Sequence, residues 1–152
     1  MTRRLAPFLA LPLLLALFAC RKEADPVRAT IAGLESAAED RDADAAGALL
    51  AAAYTDVEHP DRAAALSTIR RYFAAYESIS ASFSDLVVDR KPDLARATFT
   101  ATFDGSPRKL GALAEMLPRS AKVRFEMNLV PEEGRWKVVW ASWSLVSEGT
   151  GP

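Results

Sequence analysis

The sequence predicts an α+β domain, in which three N-terminal helices precede an antiparallel sheet of four or more strands. Two observations predict this class. Apolar residues recur at helical spacing as far as residue 76, and from residue 78 onward they alternate with polar residues at the period of a strand. The chain has 152 residues, of which 50% are hydrophobic and 26% charged, a composition typical of a globular domain.

The three predicted helices are separated by two short polar links. The first helix begins at Asp25-Pro26, an N-cap followed by proline at the first helical position. Its apolar side consists of Val27, Ile31, Leu34 and Ala38. The second helix is capped near Asp42, and its apolar side consists of Leu49, Leu50 and Ala53. After a connector over residues 54–61, the third helix runs from about Asp61 to Tyr76 with an apolar stripe of Leu66, Ile69, Phe73 and Tyr76.

Four predicted strands follow the helices. In the first, over residues 78–88, the alternation reverses its phase near Ser84-Asp85, which predicts a β-bulge. A turn at residues 90–93 leads to the second strand, over 95–103. Residues 105–121 are too long for a tight turn, so we predict a short helix over 110–117 before the third strand, over 123–129. Glu132-Glu133-Gly134 then forms the hairpin turn to the last strand, over 135–146.

The last strand is apolar on both faces, which is typical of a central or covered strand. Regular alternation places Trp136 and Trp140 on one face and Trp143 on the other. If the first face packs on the helices, Trp143 points outward and forms a possible partner surface with Glu126 and Asn128. A bulge in the strand would instead return Trp143 to the core. The sequence leaves both arrangements open.

The first nineteen residues have the pattern of a secretory signal peptide. Arg3 and Arg4 form a positive n-region, and residues 5–19 are apolar without a charge. That run is shorter than the ~20 residues that span a bilayer. It ends in Leu17-Phe18-Ala19-Cys20, which resembles the lipobox of bacterial lipoproteins. The resemblance implies that Cys20 receives a diacylglycerol and a fatty acid such as palmitate, and becomes the mature N-terminus.

This resemblance divides the chain into a signal peptide over 1–19, a lipidated tether over 20–25 and a single domain over 26–148. It implies a location in the bacterial cell envelope, with the membrane as a partner through the lipid anchor. Arg21 rather than aspartate follows the cysteine, and in such families this fits the periplasmic leaflet of the outer membrane.

Three stretches of the mature chain carry a second resemblance: DRDADAAGALLAAAYTD in the helix pair, DRAAALSTIRRYFAAY in the third helix and GRWKVVW in the final strand. In these stretches the chain resembles the nuclear-transport-factor-2-like (NTF2-like) superfamily, which includes the SnoaL-like proteins. The resemblance implies a cone-like fold, in which a curved, cystatin-like sheet wraps the helices and leaves a pocket at the wide end. Between the second and third helices, only Tyr54–His59 could supply a strand.

Three candidate polar residues lie in the connector before the third helix. Enzymes of this superfamily that shift protons beside a carbonyl place tyrosine and aspartate at the pocket, which the resemblance carries to Tyr54 and Asp56. His59 is the only histidine, the side chain most often used as an acid or base, so it could act as a base, or it could be an exposed or capping residue. The possible pocket residues are Tyr54, Asp56, His59, Tyr76, Phe99, Phe125, Met127 and Trp140.

Composition excludes several other classes of function. The net charge of −1 provides no basic excess for nucleic acid. One cysteine and one histidine exclude a disulfide framework and a Cys/His zinc site. Residues 40–44 resemble the start of a calcium loop, but Ala45 and Ala51 stand where that loop needs glycine and glutamate. We therefore predict no metal and no cofactor.

The sequence favours a non-catalytic binding or assembly module at the envelope, whose partner is an envelope protein or a second copy of the chain. One alternative is a small-molecule enzyme of the isomerase or hydrolase type, and another is a carrier of apolar ligands. The enzyme needs a polar pair that faces a pocket, the carrier a wholly apolar cavity, and the module an exposed patch on the sheet. The sequence assigns no catalytic residue.

Overall fold

This computed structural model describes residues 25–109, 111 and 115–147. Its elements are α1 (Pro26–Asp40), α2 (Ala43–Ala48), β1 (Leu50–Asp56), α3 (Arg62–Ala75), β2 (Tyr76–Arg90), β3 (Ala95–Pro107), β4 (Ser120–Glu132) and β5 (Arg135–Leu145). The predicted signal peptide and the lipidation of Cys20 lie outside these residues, as does half of the helix predicted over 110–117. None of the helices in the described part of the chain is long and apolar enough to cross a bilayer.

The five strands form one mixed sheet in the order β1-β5-β4-β3-β2. Strands β2 to β5 form an antiparallel meander, as the sequence predicts. Strand β1 adds to the edge of β5 and runs parallel to it. The predicted α+β class is confirmed, and the prediction of a purely antiparallel sheet is corrected by this fifth strand.

Strand β1 lies where the sequence predicts the second half of a helix. Helix α2 ends at Ala48, and the carbonyl oxygen of Leu49 accepts a hydrogen bond from the amide of Val138, over 2.9 Å. Alanine favours a helix by intrinsic propensity, but pairing with β5 and the burial of Leu50 and Ala51 override that preference. The consequence is that Tyr54 lies on a strand rather than in a connector.

The predicted bulge in β2 is confirmed. The pairing of β2 with β3 shifts between Ser84 and Val87. Asp85 has a φ of 56°, in the left-handed region that a bulge residue can occupy. This shift explains why the alternation of apolar residues reverses its phase at that point.

Strand β5 also contains a bulge. Two successive residues of β4 lie opposite Val138 and Trp140, so Val139 is an extra residue on β5. Trp143 lies opposite Phe125 and packs with it against the core. Of the two arrangements that the sequence leaves open, the structure shows the one in which a bulge returns Trp143 to the helix-facing side of the sheet.

The core lies between α1 and the helix-facing side of the sheet. Val27 and Ile31 of α1 are buried there. At the centre of the sheet, Phe99 is 0% exposed and its ring stacks on Phe83 and on Phe125, with ring centroids 4.8 Å and 5.3 Å apart. The helices lie against this stack of aromatic rings.

Helix α1 also covers backbone groups of the edge strand β2. A carboxylate oxygen of Glu35 accepts a hydrogen bond of 2.9 Å from the amide of Phe83. The guanidinium of Arg28 donates to the carbonyl oxygen of Leu86 over 3.4 Å. Such contacts protect an edge strand from pairing with another chain.

Candidate functional site

A cavity of about 370 Å³ lies between α1, α3 and the helix-facing side of the sheet. Its walls are mainly apolar and include the rings of Phe83, Phe99, Phe125 and Trp143. The lining side chains that carry oxygen or can ionise all come from residues 54–72: they are Tyr54, Asp56, Glu58, His59, Thr68 and Tyr72. The cavity is therefore apolar on the sheet side and polar on the side where β1 leads into α3.

Asp56 is the centre of a hydrogen-bond network at the end of β1. The chain turns there, and the backbone amides of Glu58 and His59 both donate to Oδ1 of Asp56, over 2.8 Å and 2.7 Å. The hydroxyl of Tyr54 donates to Oδ2 over 2.9 Å. The imidazole Nδ1 of His59 lies 2.9 Å from both carboxylate oxygens. The Asp56 side chain is 2% exposed, so this carboxylate is held by its partners and not by water.

The network shifts the pKa values of two of its members. Burial raises the pKa of Tyr54 far above its usual value near 10, and the bond to Asp56 and the negative charge of that carboxylate raise it further. Burial alone would also raise the pKa of Asp56, but the hydrogen bonds from Glu58, His59 and Tyr54 together lower it. Tyr54 is therefore a neutral donor and Asp56 a carboxylate at neutral pH.

His59 has a defined orientation between two oxygen partners. Because the Asp56 carboxylate faces Nδ1, that nitrogen carries the proton, and Nε2 is then the acceptor in the neutral ring. Nε2 lies 3.0 Å from the hydroxyl oxygen of Thr68, which also accepts a 3.2 Å bond from Arg71. The His59 side chain is 14% exposed. A carboxylate, an oriented imidazole and a hydroxyl thus form one chain along the cavity wall.

Comparison of the sequence with protein-family models and with curated proteins finds no match. Several solved structures resemble this one. Bd1075 from Bdellovibrio bacteriovorus gives a TM-score of 0.67 over 81% of this chain at 10% identity, and this chain spans 40% of that protein. A proposed scytalone dehydratase from Novosphingobium aromaticivorans gives 0.69 over 80% of this chain and 83% of its own, at 12% identity. A proposed dehydratase of the NTF2-like family from Streptomyces avermitilis gives 0.67 over 80% of this chain and 95% of its own, at 19% identity.

This chain has the NTF2-like fold. The superfamily resemblance that the sequence predicts is therefore confirmed at the level of the fold. The identities are too low to carry an activity from those proteins to this one.

Within the NTF2-like fold, the structure brings together six of the eight predicted pocket residues. Those that line the cavity are Tyr54, Asp56, His59, Phe99, Phe125 and Met127. Tyr76 does not line it. This residue is the C-cap of α3 and the first residue of β2, and its hydroxyl donates to the carbonyl oxygen of Pro118 over 2.7 Å. Trp140 does not line it either, because the bulge at Val139 turns it to the outer face of the sheet.

The predicted partner surface is divided between the two faces of the sheet. Trp143 lines the cavity and contacts Phe125, with ring centroids 6.0 Å apart. Glu126 lies on the outer face, where it pairs with Arg96 over 2.7 Å. Asn128 lies on that face opposite Trp140. Trp143 therefore cannot act together with these two residues on one surface.

Sequence reasoning missed Thr68. A single threonine in a helix gives no sign of its own, and the apolar stripe of α3 draws attention to its neighbour Ile69. The available sign is its spacing from Ala65 and Tyr72, since residues three and four apart share one face of a helix and all three line the cavity. Among the residues that the structure describes, no group of histidine, cysteine or carboxylate side chains could hold a metal.

The network around Asp56 predicts a specific dependence of stability on pH. Because folding lowers the pKa of Asp56, its bonds add stability above the unfolded pKa of about 4, and this contribution is lost as the pH falls through the folded value. Asp56→Asn should be less stable than the wild type at pH 7 and should lose less stability on acidification. Urea unfolding at a series of pH values measures how the free energy of unfolding of each protein changes with pH. The exposed Asp104→Asn is the matched control, and if it flattens the acid limb as much, the assignment to Asp56 is wrong.

Proposed function

We propose that the cavity is the active site of a small-molecule enzyme in which His59 transfers a proton to and from a carbonyl-containing substrate. The observation that carries this proposal is the chain from Asp56 through His59 to Thr68, placed on the wall of an otherwise apolar cavity. An oriented imidazole beside a buried carboxylate is the arrangement that general acid–base catalysis needs. The reaction class is isomerisation or elimination of water.

The proton transfer proceeds from the neutral form of His59. Nε2 takes a proton from the carbon beside the substrate carbonyl, and the electron pair of the broken C–H bond moves into an enolate. His59 then returns the proton. If the substrate has a β,γ double bond, delivery to the γ-carbon of the dienolate moves that double bond to the α,β position and gives an isomer. If it has a β-hydroxyl, delivery to that hydroxyl releases water and leaves a carbon–carbon double bond. The hydroxyl of Thr68 lies at Nε2 in this structure, so it must rotate aside when the substrate carbon approaches.

Asp56 and Tyr54 support this role without contact to the reacting carbon. The Asp56 carboxylate fixes the tautomer and stabilises the imidazolium that forms in the transition state. Tyr54 stays protonated and supplies Asp56 with a hydrogen bond in place of water. The apolar walls lower the local dielectric constant, which strengthens both interactions.

Two considerations support the enzyme over the other candidates. An apolar-ligand carrier needs no ionisable network inside its cavity, whereas Asp56 and His59 lie hydrogen-bonded on one wall of this one. The same fold holds two proposed dehydratases at 12% and 19% identity, which is compatible with the reaction class. The non-catalytic envelope module that the sequence favours stays a prediction, and its proposed anchor residue Trp143 lies in the cavity wall.

Solvent deuterium exchange tests the proposal without knowledge of the natural product. The protein is incubated in D₂O with a panel of cyclic and aromatic ketones and β-hydroxy ketones, and NMR follows deuterium at the carbon beside the carbonyl. We expect at least one ketone to exchange faster with the protein than in buffer. The outer-face variant Arg96→Gln should exchange at the wild-type rate. If no member of the panel exchanges above buffer, the proposed function fails.

We also propose that this site works at the bacterial envelope, anchored by a lipid on Cys20. The support is the sequence Leu17-Phe18-Ala19-Cys20 after an uncharged apolar run. Two or more acyl chains give stable anchoring where one would be marginal. Mass spectrometry of the protein from the membrane fraction should show the acyl mass on Cys20, and Cys20→Ser should release the protein from that fraction. An unmodified Cys20 in a soluble wild-type protein contradicts this.

A further inference from the structure

A second concave site lies beside the cavity, at the ends of α1 and α3. It is a groove of about 330 Å³ lined by Asp40, Arg41, Ala43, Arg70, Phe73, Ala74 and Arg108. Three of these seven side chains are arginines. Guanidinium groups that converge on one groove are the common means by which proteins bind carboxylate, sulfonate or phosphate groups.

Two of the three arginines are held in place by backbone carbonyl oxygens. A terminal nitrogen of Arg41 donates to the carbonyl oxygen of Tyr76 over 2.9 Å, and Nε of Arg108 donates to that of Ala74 over 3.0 Å. Each bond uses one N–H group and fixes the direction of the side chain, which leaves further donors on both guanidinium groups.

The charge of the groove is only partly compensated. Arg70 pairs with Asp44 over 3.0 Å, with both side chains exposed. Neither Arg41 nor Arg108 forms an ion pair within 4.0 Å in the described part of the chain. Asp40 lines the groove as well, so the three arginines have two carboxylates near them, Asp40 in the groove and Asp44 beside Arg70. The groove therefore has an excess of positive charge that an anionic ligand group would neutralise.

Phe73 connects the groove to the cavity, because its side chain lines both. At the end of α1, Ala38 lines the cavity, while Asp40 and the C-cap residue Arg41 line the groove. The two spaces are thus neighbours with one shared wall. A single ligand can place an apolar body in the cavity and a charged group among the arginines.

We propose that the site takes amphiphilic acids, with the apolar part of the ligand in the cavity and its anionic group bound by Arg41, Arg70 and Arg108. This inference rests on the proposed function, which identifies the cavity as the place where a small molecule binds. It adds the chemical class of that molecule. It does not depend on proton transfer by His59, because it concerns binding alone.

Two fluorescent dyes with the same aromatic body test this. The anionic probe is 8-anilino-1-naphthalenesulfonate, and the neutral probe is N-phenyl-1-naphthylamine, which lacks the sulfonate. We expect the wild-type protein to bind the anionic dye about tenfold more tightly, the ratio that 1.4 kcal/mol of added interaction gives. Raising the ionic strength from about 0.05 M to about 0.5 M should reduce this preference, since salt screens exposed charges.

The double variant Arg70→Gln/Arg108→Gln should bring the two dissociation constants together while leaving that of the neutral dye unchanged. Arg96→Gln removes one arginine from the outer face of the sheet and should retain the preference. Equal binding of the two dyes by the wild type, or a preference that survives in the double variant, overturns the inference while the cavity and its proposed chemistry stand. If neither dye binds, this inference fails because the cavity does not admit such ligands, and the exchange of small ketones then decides the proposed function by itself.

Discussion

Replacing His59 with glutamine should lower the rate of deuterium exchange into a responsive ketone by about 10²- to 10⁴-fold, the usual contribution of a positioned acid–base group. Glutamine can still donate an amide hydrogen to the Asp56 carboxylate, and the backbone amide of residue 59 still bonds to Oδ1. The side chain then has no nitrogen that can take a proton at neutral pH. The loss should therefore appear in the catalytic rate constant and not in folding.

Two controls separate this effect from a loss of structure. The thermal unfolding midpoint of His59→Gln should stay close to that of the wild type, and its affinity for the neutral naphthylamine dye should be unchanged. Asp56→Asn should also lower the exchange rate, because the amide can no longer stabilise an imidazolium at Nδ1. Exchange at the wild-type rate by a folded His59→Gln variant would show that His59 is not the base.

Replacing Phe99 with alanine should lower the free energy of unfolding by about 3–5 kcal/mol, as for other fully buried aromatic residues. Phe99 is 0% exposed and stacks between two rings, so its removal leaves a gap that neither Phe83 nor Phe125 can fill without leaving its own position. Domains of this size are stable by ~5–15 kcal/mol, so the loss is a large part of the total. Urea denaturation measures it.

Phe103 supplies the matched control for this substitution. It lies on the same strand and the same side of the sheet, but it is only partly buried and meets Phe83 edge-on with centroids 6.1 Å apart. Phe103→Ala should therefore cost clearly less than Phe99→Ala. Equal costs would show that the ring stack is not the centre of the core.

The spacing of apolar residues, with a period of 3.6 residues in helices and of two in strands, is sufficient to predict the helices α1 and α3 and the antiparallel meander. It fails where long-range pairing overrides local preference. Residues 50–56 are alanine-rich and favour a helix on their own, and only the neighbouring β5, more than 80 residues away in sequence, makes them a strand. The bulge in β5 has the same origin, because an extra residue such as Val139 appears only when the partner strand is known.

The candidate site, too, can be predicted only in part from the sequence. Tyr54, Asp56 and His59 could be singled out because they are close in sequence and chemically distinct. The network among them could not be predicted, because it depends on the turn after Asp56 and on the placement of α3 beside it. The groove could not be predicted from sequence patterns, since the fold brings its arginines together from the C-cap of α1, from α3 and from the residue after β3.

The polar groups and the apolar walls of the cavity are encoded in separate stretches of the chain. Residues 54–72 contribute the ionisable and hydroxyl-bearing side chains, while α1 and strands β2 to β5 contribute apolar walls. Substitutions in the walls can change which molecules enter while the hydrogen-bond network from Tyr54 to Thr68 keeps its geometry. The ligand that the cavity accepts could therefore be varied at Phe83, Phe103 and Trp143, and residues 54–72 could be transferred as one segment into another protein of this fold.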